Sequence, residues 1–442
     1  MNESKRLTFN AWMFIIIYAV VGLLGGVALD VLPTYLSASP ETVGLAKSMS
    51  IFLGIGFLGG AALLLLIPKT GYKFIIGLAC IGSMIGLGIV KYVSSVTVLA
   101  IITGVIFVGV CLFDAVLPAF LTCYTTEKNK NLIFSTAIWT NIAGMALATF
   151  LGGKLITWKF SGILGVTYEK AKELTANTDA FSALQHQSYL DAHTEVLFMF
   201  VAVAAIAFIP VLFIKQKPVD YKEVEKKDKQ KFDWSIFANK YIVLFVVYTF
   251  LIRFGAGLIT PHFSVFLSKM GIDRSTVSSL VSAQYIAMVV FVMISPIVIK
   301  KLGKVVCLGG MALLAIPFVM LIANGQSFGS AMVPAVGIGL FFRSGFANVS
   351  SPVQQSLPME FVSKELRPAY SSVIFIVMGA SQILAGLFSR NFLLNLENGY
   401  GISYYVTAAI YVVAAVMLLV VFTKKYNRSN SDEQKQGIET AA

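Results

Sequence analysis

Apolar residues along this chain fall in long unbroken runs, separated by short polar connections. About 20 such residues carry a helix across the hydrocarbon of a bilayer. Twelve runs meet that length, at about 12–36, 43–67, 73–92, 97–123, 131–157, 194–214, 240–267, 275–299, 304–323, 330–352, 368–390 and 403–423. A membrane β-barrel would alternate polar and apolar positions over segments of about 10 residues, and these runs do not alternate. The pattern predicts an all-α membrane protein with 12 transmembrane helices. It divides the chain into an N-terminus (1–11), a first six-helix bundle (12–214), a polar linker (215–240), a second bundle (241–423) and a tail (424–442). Within the first bundle the connection 159–193 is unusually long. Tyr168 to Ala176 favours a helix there, and Asp179 is the expected N-cap of a second one from Ala180 to Leu190.

Composition agrees. The chain is 57% hydrophobic and 13% charged, against roughly 25% charged in soluble domains. The net charge of +12 would suggest nucleic acid in a soluble protein. Here Lys and Arg gather between apolar runs on alternate sides, which is the orientation signal of a multi-pass cell-membrane protein with both termini in the cytosol. The run from Trp12 is too long for a signal-peptide core and is read as a retained first helix. Cys80, Cys111, Cys123 and Cys307 lie within or at the cytosolic ends of runs, where no disulfide is expected. His186, Asp191 and His193 have poor spacing for one helical face. No metal site, cofactor site or nucleic-acid partner is predicted. No His-Glu metal motif, Gly-flanked serine or phosphate loop is present, so an enzyme is not expected.

Four ionisable residues stand inside the runs: Asp30, Asp114, Arg253 and Arg343. A charge at the bilayer centre costs about 2.5 kcal/mol or more even on lenient scales, and such residues usually face a bundle interior. Polar residues share their helices. Thr34 is one turn from Asp30, Thr249 and Thr260 flank Arg253, His262 lies near that helix end, and Asn348 follows Arg343. Asn141, Gln284, Tyr285 and Gln382 add polar positions on other runs. Two readings stay open for the charges: Asp–Arg pairing that locks one conformation, or arginines that hold an anionic group while a carboxylate carries a proton.

The two halves repeat. Pro68-Lys69-Thr70-Gly71-Tyr72-Lys73 follows the second run, and Lys300-Lys301-Leu302-Gly303-Lys304 follows the eighth. The fourth run ends near Glu127-Lys128, and the tenth near Glu360, Glu365 and Arg367. Parallel six-helix repeats mark one transporter architecture. On this plan and these loops the chain resembles the major facilitator superfamily over roughly 12–423. Pro68 and Lys300 stand where the family's loop signature has Asp. Thr103-Gly104-Val105 lacks the family's arginine, and Ala148 to Gly153 lacks the antiporter Gly-Pro. The resemblance implies two six-helix pseudo-repeats, with the first, fourth, seventh and tenth helices lining a central cavity. The four charges fall one on each. It makes Lys69, Gly71, Lys73, Lys301, Gly303 and Lys304 candidates for a conformational role.

The function expected is secondary active transport of a small organic solute, anionic or zwitterionic, by proton-coupled symport and alternating access, with a monomer as the working unit. An exporter of amphiphilic drugs or lipids is the alternative, suggested by 34 Phe and 15 Met and by Phe341, Phe342 and Phe346 beside Arg343. A non-transporting sensor or scaffold is the alternative of another class.

Overall fold

A computed structural model of the chain describes residues 3–126, 129–221, 237, 239–362 and 367–427. The charged run 222–229, Glu127-Lys128, Glu365 and the tail beyond 427 lie outside the described residues. Among the described residues there are helices and no strands. The long helices are α1 (Glu3–Ala38), α2 (Met49–Leu64), α3 (Tyr72–Tyr92), α4 (Val96–Tyr124), α5 (Lys130–Leu164), α6 (Ala183–Phe213), α7 (Lys240–Lys269), α8 (Arg274–Leu302), α9 (Lys304–Ala323), α10 (Met332–Val349), α11 (Arg367–Asn391) and α12 (Gly399–Tyr426). Eleven of the described helices are long and apolar enough to span a membrane.

The twelfth, α2, has 16 residues and is shorter than its apolar run. It is interrupted near Lys47-Ser48, where the Ser48 hydroxyl donates to the Gly44 carbonyl and so competes with the helical ladder. One-turn helices at Val43–Ala46 and Ile67–Thr70 continue it at both ends. The long connection after α5 also differs from expectation. α5 runs on to Leu164 and α6 starts at Ala183, which leaves one short helix, Tyr168–Thr175, between them. The N-cap of α6 is Ser182, not Asp179. Its side chain and that of Gln185 form a reciprocal capping box, which satisfies two end donors at once.

The chain forms two compact units. The first holds the described residues of Met1–Asp228, with Pro261–Ser282 and Gln382–Arg390. The second holds Ala283–Ser381, Asn391 onward and the start of α7 to Thr260. Two segments of the second sequence half, the end of α7 with the start of α8 and the end of α11, thus belong to the first unit.

Glycines set the closest approaches. In the first unit a methyl group on Gly56 or Gly60 of α2 would collide with the α4 backbone at Phe107 or Leu112, and one on Gly22 or Gly26 of α1 with α5 at Asn141 or Met145. Bringing backbones together gains dispersion where the surrounding lipid supplies no hydrophobic drive. In the second unit Gly255 of α7 lies against Tyr411 of α12, and the Thr407 hydroxyl donates to the Gly255 carbonyl at 2.9 Å.

The repeated loops have one construction in both units. Gly71 adopts φ 82°, ψ 163° and caps α3; Gly303 adopts φ 83°, ψ 166° and caps α9. That region of backbone space is open almost only to glycine. Glycine offers no side chain to the first-turn N–H groups of the helix, which need partners. An amide from just beyond the last helix of the same half supplies one. The Lys73 N–H donates to Gln216 Oε1 at 2.9 Å, and the Val306 N–H donates to Asn427 Oδ1 at 3.0 Å. Each amide also occupies the space that a side chain on the glycine would take. The repeated Gly therefore reflects a backbone constraint as well as the spacing of the basic residues.

Near the start of α1, the Arg6 guanidinium bonds Asp220 at 2.6 and 2.9 Å and contacts Glu3, and the Tyr124 hydroxyl donates to Asp220 at 2.9 Å. Burial pushes the Asp220 carboxyl up, but the bonds from Arg6, the Lys217 backbone N–H and Tyr124 outweigh it and hold the group below its usual range.

Gly71→Ala and Gly303→Ala should each cost about 1–3 kcal/mol, read as a lower unfolding temperature in detergent. Because the Asp220 carboxyl titrates lower in the folded protein, its contribution is present above the ordinary carboxylate pKa. It is lost as pH falls through the folded value. Asp220→Asn should therefore lower stability at pH 7 and converge on the parent in acid.

Candidate functional site

α1 changes its winding where Asp30 sits. Residues Val27–Val31 form a π-helical turn. Pro33 has no N–H, so the carbonyl four residues earlier loses its usual donor. π-turns are uncommon and occur often at functional positions. The Thr34 hydroxyl donates back to the Asp30 and Val31 carbonyls, each at 2.9 Å. Thr34 is thus engaged with its own helix.

Asp30 is fully buried and bonded to Arg274, which is also fully buried. Nη2 donates to Oδ2 at 2.6 Å and Nη1 to Oδ1 at 3.2 Å, so the guanidinium grips the carboxylate through both oxygens. The buried Ser264 hydroxyl donates to the same Oδ1. Such a forked, charge-assisted pair is among the stronger polar contacts available to a side chain. Tyr189 and His193 of α6 lie beside it, with the His193 Nδ1 2.9 Å from the Tyr189 carbonyl oxygen. Gly152 of α5 leaves room for the next residue of the π-turn, since a methyl group there would lie 2.8 Å from Val31 Cγ2.

The short helix after α5 holds the arginine in place. The Arg274 backbone N–H donates to Thr175 Oγ1 at 3.2 Å, and the Tyr168 hydroxyl donates to Ser275 Oγ at 2.9 Å. Further along α8, the Ser282 hydroxyl donates to the Ala146 carbonyl at 2.8 Å, and the Ser278 hydroxyl bonds the Thr149 carbonyl. A polar cavity of about 310 Å³ lies near the pair, lined in part by Thr34, Asn177, Tyr189, Ser268 and Lys269.

Arg274 was not among the expected site residues, because it stands one residue before an apolar run. A signal was nevertheless present. Arg274, Ser278 and Ser282 recur every four residues and share one face of α8, a polar stripe on a helix otherwise apolar enough to span.

The other expected residues lie as follows. Asp114, in the first unit, is exposed rather than buried, and its Oδ1 accepts from the Tyr18 hydroxyl at 2.5 Å. Asn141 Nδ2 donates to the Tyr18 carbonyl at 2.9 Å, so this residue ties α5 to α1. In the second unit Arg343 is 5% exposed, and its Nη2 donates to Thr260 Oγ1 at 3.2 Å. The Ser344 hydroxyl donates to Gln284 Oε1 at 3.2 Å, and Asn348 Nδ2 to the Ser344 carbonyl at 2.8 Å. Arg253 is half-buried on α7, and the Thr249 hydroxyl bonds its own helix at Phe245. Tyr285, in the second unit, and His262 and Gln382, in the first, are buried. The two acids thus belong to one unit and Arg253 and Arg343 to the other. Lys304 bonds Glu360 at 2.8 Å, Lys73 Nζ donates to the Leu212 carbonyl, and Lys69 and Lys301 are exposed. Among the described residues no cluster of His, Cys, Asp and Glu is arranged to hold a metal ion.

A helical membrane bundle with repeated six-helix halves, repeated glycine loops and charges within its helices belongs to the class of polytopic membrane transporters. The family model of the Major Facilitator Superfamily matches residues 11–386 and 245–441, and the chain belongs to that superfamily. No curated protein matches it in sequence. Solved structures with the same fold include the nucleoside transporter NupG, with 15% identity over 93% of this chain and 99% of that one and a TM-score of 0.66. They also include a D-xylose-proton symporter, with 13% identity over 96% and 97% and a TM-score of 0.65. The E. coli fucose:proton symporter FucP has 15% identity over 94% and 98% and a TM-score of 0.59. At such identities the likeness establishes the fold.

Removing one partner of the buried pair strands a charge. Asp30→Asn or Arg274→Gln alone should each destabilise the protein by about 3–5 kcal/mol, whereas Asp30→Leu with Arg274→Met should recover most of the loss. Unfolding of purified variants in detergent measures both.

Proposed function

We propose that this transporter moves a small anionic or zwitterionic organic solute across the cell membrane, coupled to protons, by alternating access. Both termini are cytosolic in this reading, and the end bearing the short helix Tyr168–Thr175 is external. The working unit is a monomer. The observation that carries the proposal is the contrast between Arg343 and Asp114. Arg343 is buried among hydroxyl and amide groups. A guanidinium keeps its charge at any physiological pH and offers a planar fork suited to carboxylate or phosphate. It serves as the anchor for an anionic group, and Arg253, about two turns before Thr260 on α7, supplies further positive potential. Asp114 is exposed and in this reading faces the water-filled path, and the Tyr18 hydroxyl donates to it. Asp30 is committed to Arg274 here. The coupling carboxylate in this reading is therefore Asp114.

Two structural neighbours are titled proton symporters, which supports the proton as coupling ion. An exporter of amphiphilic drugs or lipids remains the alternative: Phe291, Phe318, Phe342 and Phe346 pack on one another with ring centroids 5.1 to 6.2 Å apart, and Phe342 stays exposed.

In proteoliposomes with an imposed pH gradient, uptake of a panel of carboxylates, amino acids and sugar phosphates should rise with the gradient for one solute class. Asp114→Asn should abolish the gradient dependence. Arg343→Gln should weaken binding of that class by about tenfold or more, or about 1.4 kcal/mol. Flux that ignores pH in the parent overturns the coupling, and equal losses for anionic and neutral solutes overturn the role of Arg343.

A further inference from the structure

The Asp30–Arg274 pair has no place in solute binding as described above, yet it is the most completely buried ionic contact among the described residues. Its surroundings suggest a separate task. The carboxylate stands on a π-turn between Gly26 and Pro33, a point where a helix bends at little cost. The arginine opens α8 immediately after the glycine turn at Gly271, whose φ is 86°. The two side chains thus join two hinge-like breaks in the backbone. Around them, α5 and α8 touch at Gly153, whose N–H donates to the Ser278 hydroxyl at 3.0 Å. A methyl group on Gly153 would strike the α8 backbone at Arg274. Packing this close admits no water.

We propose that Arg274 is a positioning residue for transport. By gripping Asp30 it holds the start of α8 and the end of α7 against α1 and α5, and it keeps this end of the first unit shut until the pair parts. The proposal rests on the transport reading, and on the external side for sidedness only.

Three observations support it. The pair is fully desolvated, so its members are stable together and costly apart, which gives two discrete states and no continuum between them. A polar cavity lined by Tyr189 and by Thr34, one turn from Asp30 on α1, has room for water near the pair once its charges separate. The short helix Tyr168–Thr175 holds the arginine's end of α8 through Thr175 and Tyr168, so the long connection after α5 acts as a brace on the same latch. The charged and titratable groups facing Asp30 are Arg274 of α8 and Tyr189 and His193 of α6, with the Ser264 hydroxyl of α7 on the same oxygen.

The test uses a reporter cysteine, Ser278→Cys, in a background whose native cysteines are replaced by serine. The position is fully buried in the closed end. Reconstituted full-length protein is treated with a membrane-impermeant maleimide added to one side or the other. The parent should label slowly. Asp30→Asn and Arg274→Gln should each label about tenfold faster or more, because a minor open state of about 0.1–10% becomes dominant. The neutral double variant, Asp30→Asn with Arg274→Gln, carries no stranded charge and should fold. It should show the same gain, and Tyr168→Phe, which leaves both charges in place, a smaller one. Charge reversal, Asp30→Arg with Arg274→Asp, should return labelling toward the parent rate. Unchanged labelling in the double variant overturns the latch, whatever the single variants do. Faster labelling only from the side of the termini overturns the external assignment and leaves the latch standing. Loss of pH-driven flux with unchanged labelling likewise overturns the latch and leaves the transport reading intact.

Discussion

One contact ties the start of α8 to α1 in the first unit: a carboxylate and a guanidinium with no exposure to water, bonded through both oxygens. Each charge alone would carry a desolvation cost of several kcal/mol. Together, with the Ser264 hydroxyl on the same oxygen, they satisfy one another. The surrounding chain is arranged to deliver them. Pro33 removes a ladder donor beside the π-turn that carries Asp30, Gly152 clears space for Val31 in that turn, and Thr175 and Tyr168 fix the start of α8. A contact of this kind is all-or-none. Partial separation leaves two buried charges without partners, so the arrangement favours a switch between distinct states over gradual flexing.

That property suits a transporter. A cavity that opens in turn to two sides needs closures that hold firmly and release completely. The division of labour among the charges follows from their surroundings. Asp30 is sealed against Arg274, Asp114 is exposed and accepts from the Tyr18 hydroxyl, and Arg343 is buried and donates to the Thr260 hydroxyl. Three ionisable groups in apolar helices thus have three different settings.

Much of the fold was legible in the sequence because hydrophobic run length maps directly onto helices in a bilayer. The repeat was legible because Gly71 and Gly303 serve the same backbone need at the same place in each half. Boundaries were less legible where side chains compete with the ladder, as at Ser48, and where helices continue past their apolar runs, as at Leu164 and Ala183. The site was read in part. Asp30, Asp114, Arg253 and Arg343 stood out as charges within apolar runs, but Arg274 stood just outside one. Its importance comes from a fold that carries the start of α8 against α1, a long-range contact that local hydropathy does not encode. The repeating Arg274, Ser278 and Ser282 face was the trace it left.

Backbone hydrogen exchange read by mass spectrometry tests the latch most directly, because it reports local opening without a label or a known solute. In the parent protein, 27–38 and 264–282 should be as protected as the cores of the long helices. In Arg274→Gln, exchange should quicken in those two segments and leave the segments around Arg6 and Asp220 at their parental rate. Exchange that quickens evenly over the whole chain, or does not change, would contradict the claim that this pair holds one end of the first unit closed.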